Sequence, residues 1–129
     1  MVSLEIRNLS KKYDGAAEYI IKDLDLSVQK GEFLALLGKS GCGKTTVLRL
    51  IAGLEQVDSG HIFLGEDDIT TVPIYQRRIN TVFQQYALFT HLTVFENVAY
   101  GLRIKGRGEK EIRERVFEAL KMIRLLGHE

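Results

Sequence analysis

Phe33-Leu34-Ala35-Leu36-Leu37-Gly38-Lys39-Ser40-Gly41-Cys42-Gly43-Lys44-Thr45-Thr46 is the stretch that decides the fold. Residues 38–45 follow the spacing G-x-x-x-x-G-K-[ST], and the flanks match what such a loop requires. Phe33 to Leu37 is a short continuous apolar run, which predicts a buried parallel strand. Thr45 to Ala52 has apolar residues at helical spacing, with Gly53 as a stop. Strand, glycine loop and helix together make a phosphate cradle. The backbone from Gly38 through Ser40, Gly41, Cys42 and Gly43 turns its N–H groups into one concavity. The helix start adds unpaired N–H groups and a positive dipole end. In this reading Lys44 reaches the β- and γ-phosphates, Thr46 serves the α-phosphate, and the Thr45 hydroxyl is a Mg²⁺ ligand. Cys42 sits at a variable position and reads as a small filler, because no histidine lies nearby in sequence to activate it.

Composition narrows the remaining classes. At 129 residues the chain is one domain or part of one. A net charge of +1 leaves no electrostatic case for nucleic acid or an anionic membrane surface. The single cysteine gives no disulfide framework and suits a reducing compartment. No apolar run approaches the ~18 residues of a membrane span, and the first residues lack a signal-peptide core. The expectation is a soluble, cytosolic chain.

Around the glycine loop, Ser3 to Leu9 alternates apolar and polar residues, a half-buried strand. Tyr19 to Val28 predicts one or two further strands, closed by a turn at Gln29-Lys30-Gly31-Glu32. Val57 to Gly60 reads as a turn, His61 to Leu64 as a strand and Gly65 to Asp68 as another turn. Arg78 to Phe83 reads as a strand ending at Gln84. Leu92 to Leu102 predicts a helix, with Thr93 as N-cap and Glu96 at capping-box spacing. Glu109 to Leu126 predicts an amphipathic helix with Ile112, Val116, Leu120 and Ile123 as its stripe, widened by Phe117 and Ala119 and stopped at Gly127.

Four blocks in order resemble the ATP-binding subunit of an ABC transporter: Asn8 to Tyr13, the glycine loop through Glu55, the turn Asp58-Ser59-Gly60, and Val82 to Val98. The resemblance implies an α/β fold: a partial P-loop NTPase core with an N-terminal antiparallel β subdomain over 1–84, and the beginning of a helical subdomain over 85–129. It implies that Tyr13 stacks on adenine, and that Gln84 contacts Mg²⁺ or the attacking water and so joins Lys44 in the catalytic set. ATP and Mg²⁺ are the implied cofactors. The segment Gln85–Val98, with Tyr86, Leu88 and Phe89 exposed or packed on the following helix, is where such subunits meet a transmembrane permease. A second copy of the subunit is the other implied partner, nucleic acid is not one, and the location is peripheral at the inner face of the cell membrane. Two positions depart from the family's habit: Lys39 and Thr90 stand where proline is frequent. Asp68 to Pro73 and Asn80 to Gln84 look most like importers of the polyamine type, with sugar and iron importers close behind.

The family's later motifs are missing from these residues. There is no Leu-Ser-Gly-Gly-Gln run, no apolar strand ending in Asp-Glu and no switch histidine, His128 lying too early for one. The expectation is an N-terminal portion whose parent is an ATPase and which itself binds ATP without appreciable hydrolysis. The strand Phe33 to Leu37 is then expected to have an open edge, covered by self-association or by rearranged pairing. The competing readings are a GTP-binding switch, a non-transport ABC ATPase and a non-catalytic nucleotide-binding module. The first lacks an Asn-Lys-x-Asp run, and the second usually diverges after Gln84.

Overall fold

Alternation in Ser3 to Leu9 builds the centre of the structure. A computed structural model describes residues 2–124, and the chain divides into two units between Thr81 and Val82. In the first unit, β1 (Val2–Lys11) pairs antiparallel with β2 (Ile21–Gln29) on one side and with β3 (Ser59–Leu64) on the other. A short β4 (Asp67–Asp68) closes a hairpin with β3, giving the order β2-β1-β3-β4.

The alternation is not carried through unbroken. Ile6 faces the core while Glu5 and Arg7 face solvent and pair with each other, and yet Leu9 is fully buried. The phase changes at Asn8, which has φ 48, in a register irregularity between Ile6 and Leu9. A bulge inserts one residue and so moves the following side chains to the other face. The neighbouring strands accommodate it. Asp23 of β2 has φ 47, and the Asn8 N–H donates to Asp25 Oδ1 at 2.8 Å. Gly60 of β3 has φ 91, and a Cβ there would lie 2.4 Å from the Asn8 carbonyl oxygen. Only glycine fits so close a backbone approach.

Helix α1 (Lys44–Ala52) packs Val47 and Leu50 on the inner face of the sheet, against Ile6, Leu9, Ile21, Ile62 and Ile69. It ends at Gly53, and the Leu54 N–H returns to the Arg49 carbonyl at 2.9 Å. Arg77 then closes the helix C-terminus. Its guanidinium donates to the carbonyls of Leu50 and Ile51, both at 2.8 Å, to Val72 at 2.7 Å and to Thr70 at 3.1 Å. Burial holds the Arg77 pKa below its ordinary value. The helix dipole still favours a cation at that end. Sequence reading passed over Arg77, because Arg77-Arg78 in a polar connection looks like solvated surface.

Two predicted strands are absent. Residues 32–39 form no ladder, and no backbone–backbone hydrogen bond involves 33–37 among the described residues. Phe33 is 93% exposed and Leu37 90%. Among the described residues no rearranged pairing covers this segment, contrary to that part of the expectation; the edge strands of the sheet, β2 and β4, do not pair with it. Arg78 to Phe83 likewise forms no strand, since no neighbour offers it a ladder; a short 3₁₀ turn at Ile74–Gln76 precedes it. Ser59 and Gly60, read as part of a turn, open β3.

The second unit is a helix pair, α2 (Val94–Ile104) and α3 (Glu109–Met122). The capping box forms as the spacing requires: the Glu96 N–H donates to Thr93 Oγ1 at 3.2 Å, and the Thr93 N–H to Glu96 Oε2 at 2.8 Å. Hydrogen bonding from Thr93 holds the Glu96 carboxyl below its ordinary pKa. Ile112, Val116 and Leu120 are buried against Ala99, Phe95 and Leu102. Ile123 and Phe117 are exposed, so the stripe is narrower than expected. A two-helix unit offers only one partner face. Gly127 lies outside the described residues.

Candidate phosphate-binding site

The predicted cradle is assembled in the first unit. Tyr13, Ile20, Ser40, Gly41, Gly43, Lys44, Thr45 and Thr46 line one open cavity of about 250 Å³. Gly43 stands at the helix N-cap with φ 99, and a Cβ there would lie 2.9 Å from the Ile20 carbonyl oxygen. Glycine is therefore required twice over at this point, by conformation and by space. No side chain caps α1, and its first turn holds no acidic residue. The orphan N–H groups and the positive helix end therefore face the cavity without an internal anion.

Lys44 is folded over the loop. Its Nζ donates to the carbonyls of Gly38 at 2.6 Å and Lys39 at 2.7 Å, with the Cys42 Sγ at 3.6 Å. These bonds tie the beginning of the loop to the beginning of the helix and keep the ammonium beside the N–H nest. Cys42 is exposed, so it packs against the loop without filling a core. Thr45 is exposed at the cavity, and Thr46 is buried with its hydroxyl 3.3 Å from the Tyr13 Oη. Tyr13, 40% exposed, stands just beyond the end of β1. The structure thus brings Tyr13 and the loop residues to one cavity, with Gly38 and Cys42 joined to it through Lys44.

A nucleotide with a hydrated divalent cation suits this donor set. Backbone N–H groups, an ammonium and a helix N-terminus answer the phosphates, and an exposed threonine hydroxyl answers the cation. Among the described residues no cluster of histidine, cysteine and carboxylate side chains forms an all-protein metal cage.

Gln84 belongs to the second unit. It is exposed and opens a tight turn in which Tyr86 and Ala87 have φ 58 and 48. Two successive left-handed residues that are not glycine cost about 1–2 kcal/mol each, the kind of strain found at functional turns. Beyond the turn, Asn97 pins the chain: its side chain bonds both backbone groups of Phe89 and the carbonyls of Leu92 and Thr93. Phe89 packs on Tyr100 with ring centroids 4.6 Å apart, while Tyr86 and Leu88 are 75% and 67% exposed. Of these three groups, Phe89 therefore rests on the following helix while remaining 38% exposed. No helix among the described residues is long and apolar enough to cross a membrane.

A family model described as ABC transporter matches residues 21–129. Among curated relatives, the spermidine/putrescine import ATP-binding protein PotA of Aggregatibacter actinomycetemcomitans is 57% identical over 122 residues, 95% of this chain and 32% of that protein. PotA of Salmonella typhimurium is 59% identical over 120 residues, 93% of this chain and 31% of that one. The chain thus spans 32% of the first of these relatives, about a third of its length. Among solved structures, the dimeric ATP-binding cassette MJ0796 bound to ADP and Pi matches at 33% identity with a TM-score of 0.77, covering 92% of this chain and 56% of that one. The chain belongs to the ABC transporter family.

Proposed function

We propose that this chain is the ATP-binding portion of a transport ATPase subunit that powers polyamine import. The observation that carries the reading is the convergence of Tyr13, Lys44, Thr45 and Thr46 on one cavity at an uncapped helix N-terminus. The relatives named for spermidine and putrescine import supply the solute class.

Each side chain has a task in this reading. Tyr13 stacks on adenine, and the loop N–H groups and Lys44 hold the phosphates, neutralising charge as it moves toward the leaving oxygen. Thr45 and Gln84 are the residues that would hold Mg²⁺ in this reading. Held there, Mg²⁺ would supply positive charge to offset that developing on the phosphate oxygens. Lys44, by binding the loop carbonyls, keeps the nest in its phosphate-ready form. The general base and the second metal carboxylate are not supplied by these residues, so they bind ATP and turn it over negligibly, while the parent hydrolyses it. The partners are permease subunits docking at Gln85–Val98 and a second ATP-binding subunit, at the cytoplasmic face of the membrane.

The test is a graft. These residues replace the equivalent segment of the Salmonella relative, and spermidine uptake is measured. Restored uptake that Lys44→Ala abolishes is the expected result; an expressed graft that transports no polyamine contradicts the proposal.

A further inference from the structure

Beside the cradle, and outside it, Lys11, Glu55 and Asp58 form a charged cluster at the end of β1. The Lys11 ammonium is buried, at 7% residue exposure, and meets Asp58 Oδ1 at 3.3 Å and Glu55 Oε1 at 3.5 Å. Asp58 grips the chain on both sides of it. Its Oδ2 accepts from the Lys12 N–H at 2.6 Å, and its own N–H donates to the Ser10 carbonyl at 3.3 Å. The residue that follows this gripped stretch is Tyr13. The Lys11 Nζ also lies over the Tyr13 ring, 5.5 Å from its centroid.

We propose that Asp58 is a positioning residue for the adenine ring, acting through Tyr13. The proposal rests on the reading of Tyr13 as the adenine-stacking aromatic. Tyr13 is restrained at three places: Asp58 holds the amide of the preceding residue, Lys12, the Lys11 ammonium lies over the ring, and the hydroxyl meets Thr46. Tyr13 remains 40% exposed and lines the cavity, which leaves ring surface open to a base. An exposed aromatic beyond a strand end would otherwise lose rotational freedom each time a base stacked on it, and fixing it beforehand removes that cost from binding. Asp58 bonds to none of the residues 38–46, so the phosphate cradle does not depend on it. Its effect is therefore specific to the base. A carboxylate serves both contacts at once, because it accepts from the amide with one oxygen and pairs with the ammonium through the other.

The experiment measures binding of Mg-ATP and of Mg-tripolyphosphate, which carries the phosphates without a base, by calorimetry. The chains are the wild type, Asp58→Asn, Asp58→Ala, Tyr13→Ala and the double variant Asp58→Ala with Tyr13→Ala. Asp58→Ala is expected to weaken Mg-ATP about fivefold and to leave Mg-tripolyphosphate within about twofold. Asp58→Asn, which keeps the shape and the acceptor for Lys12, is expected to fall between. The double variant is expected to lose no more than Tyr13→Ala alone, because both act through one ring. Equal losses for the two ligands, or an unchanged ATP affinity, overturn the proposal. If Asp58→Ala does not fold, the ratio of the two affinities in Asp58→Asn decides the matter in the same way. A ratio that Tyr13→Ala leaves unchanged brings down the stacking reading itself; a ratio lost in Tyr13→Ala and kept in the Asp58 variants brings down only the positioning role.

Discussion

β1, which alternates apolar and polar residues, and the continuous apolar segment Phe33 to Leu37 both read as strands in the sequence, and they lead different lives in this molecule. β1 has a neighbour on each edge, and its Ile6 and Leu9 are buried to within 1%. Residues 33–37 have no ladder partner, and Phe33 and Leu37 stand almost entirely in solvent. A strand is not a property of its own residues. Its backbone groups need a second chain segment at hydrogen-bond distance, and its side chains need a surface to cover. β2 and β3 supply both to β1; no described segment pairs with 33–37, and of its side chains Leu36 packs on the core. The glycine loop that follows is nevertheless fully formed, because it is anchored at its other end by α1 and by Lys44 on the Gly38 and Lys39 carbonyls.

The largest expected difference between the two regions is in amide exchange. The amides of Ile6 and Leu9 should exchange at least about 10³-fold more slowly than those of 34–37. Equal rates would mean that the sheet is not the stable part of the chain, or that 33–37 has found a partner in solution. Truncation comes next. Leu9→Ala should cost about 3 kcal/mol in chemical unfolding, and Leu37→Ala no more than about 0.5 kcal/mol. Similar losses at both positions would break the comparison. Arg77→Ala should cost about 2 kcal/mol, since it removes the donor of the Ile51 carbonyl and leaves the Leu50 carbonyl with the Gly53 N–H alone. The loss should be visible in the same unfolding experiment and should leave exchange at 33–37 unchanged.

The smallest effect is a pH dependence confined to the paired region. The Lys12 N–H, with Lys11 adding to it, holds the Asp58 carboxyl below its ordinary pKa of 3.8. A depressed carboxylate contributes stability that is present above its unfolded pKa and is lost as pH falls through the folded value. Lys11 shows the opposite sign. Burial disfavours its charge, but Asp58 and Glu55 outweigh burial and raise its pKa above 10.5, so its contribution is lost only as pH rises through that raised value. Protection of the Lys12 amide should therefore hold across neutral pH and weaken below about pH 4. The run 33–37 carries no titrating side chain and should not respond. Asp58→Asn should remove the acid transition at Lys12.

How much of this was legible in the residues varies by element and for physical reasons. α1, the capping box at Thr93 and Glu96, and the buried face Ile112, Val116 and Leu120 depend on contacts within a few residues, and spacing reveals those. The bulge at Asn8 was hidden because it needs Asp23 and Gly60 on two other strands. The absence of a ladder at 33–37 was hidden because a continuous apolar run states a preference and says nothing of a partner. The cradle was legible because its chemistry is compressed into one loop and one helix start. Arg77, Lys11 and Asp58 were not, because each acts on backbone or charge far away in sequence.

The loop at 38–46 forms a phosphate cradle even though the segment leading into it is unpaired. Equilibrium titration of the chain with Mg-ATP, set beside Lys44→Ala, tests this most directly. Saturable one-site binding that Lys44→Ala weakens by about tenfold or more, without appreciable phosphate release, is the expected result. Binding indifferent to Lys44→Ala, or rapid turnover that persists in that variant, would contradict it.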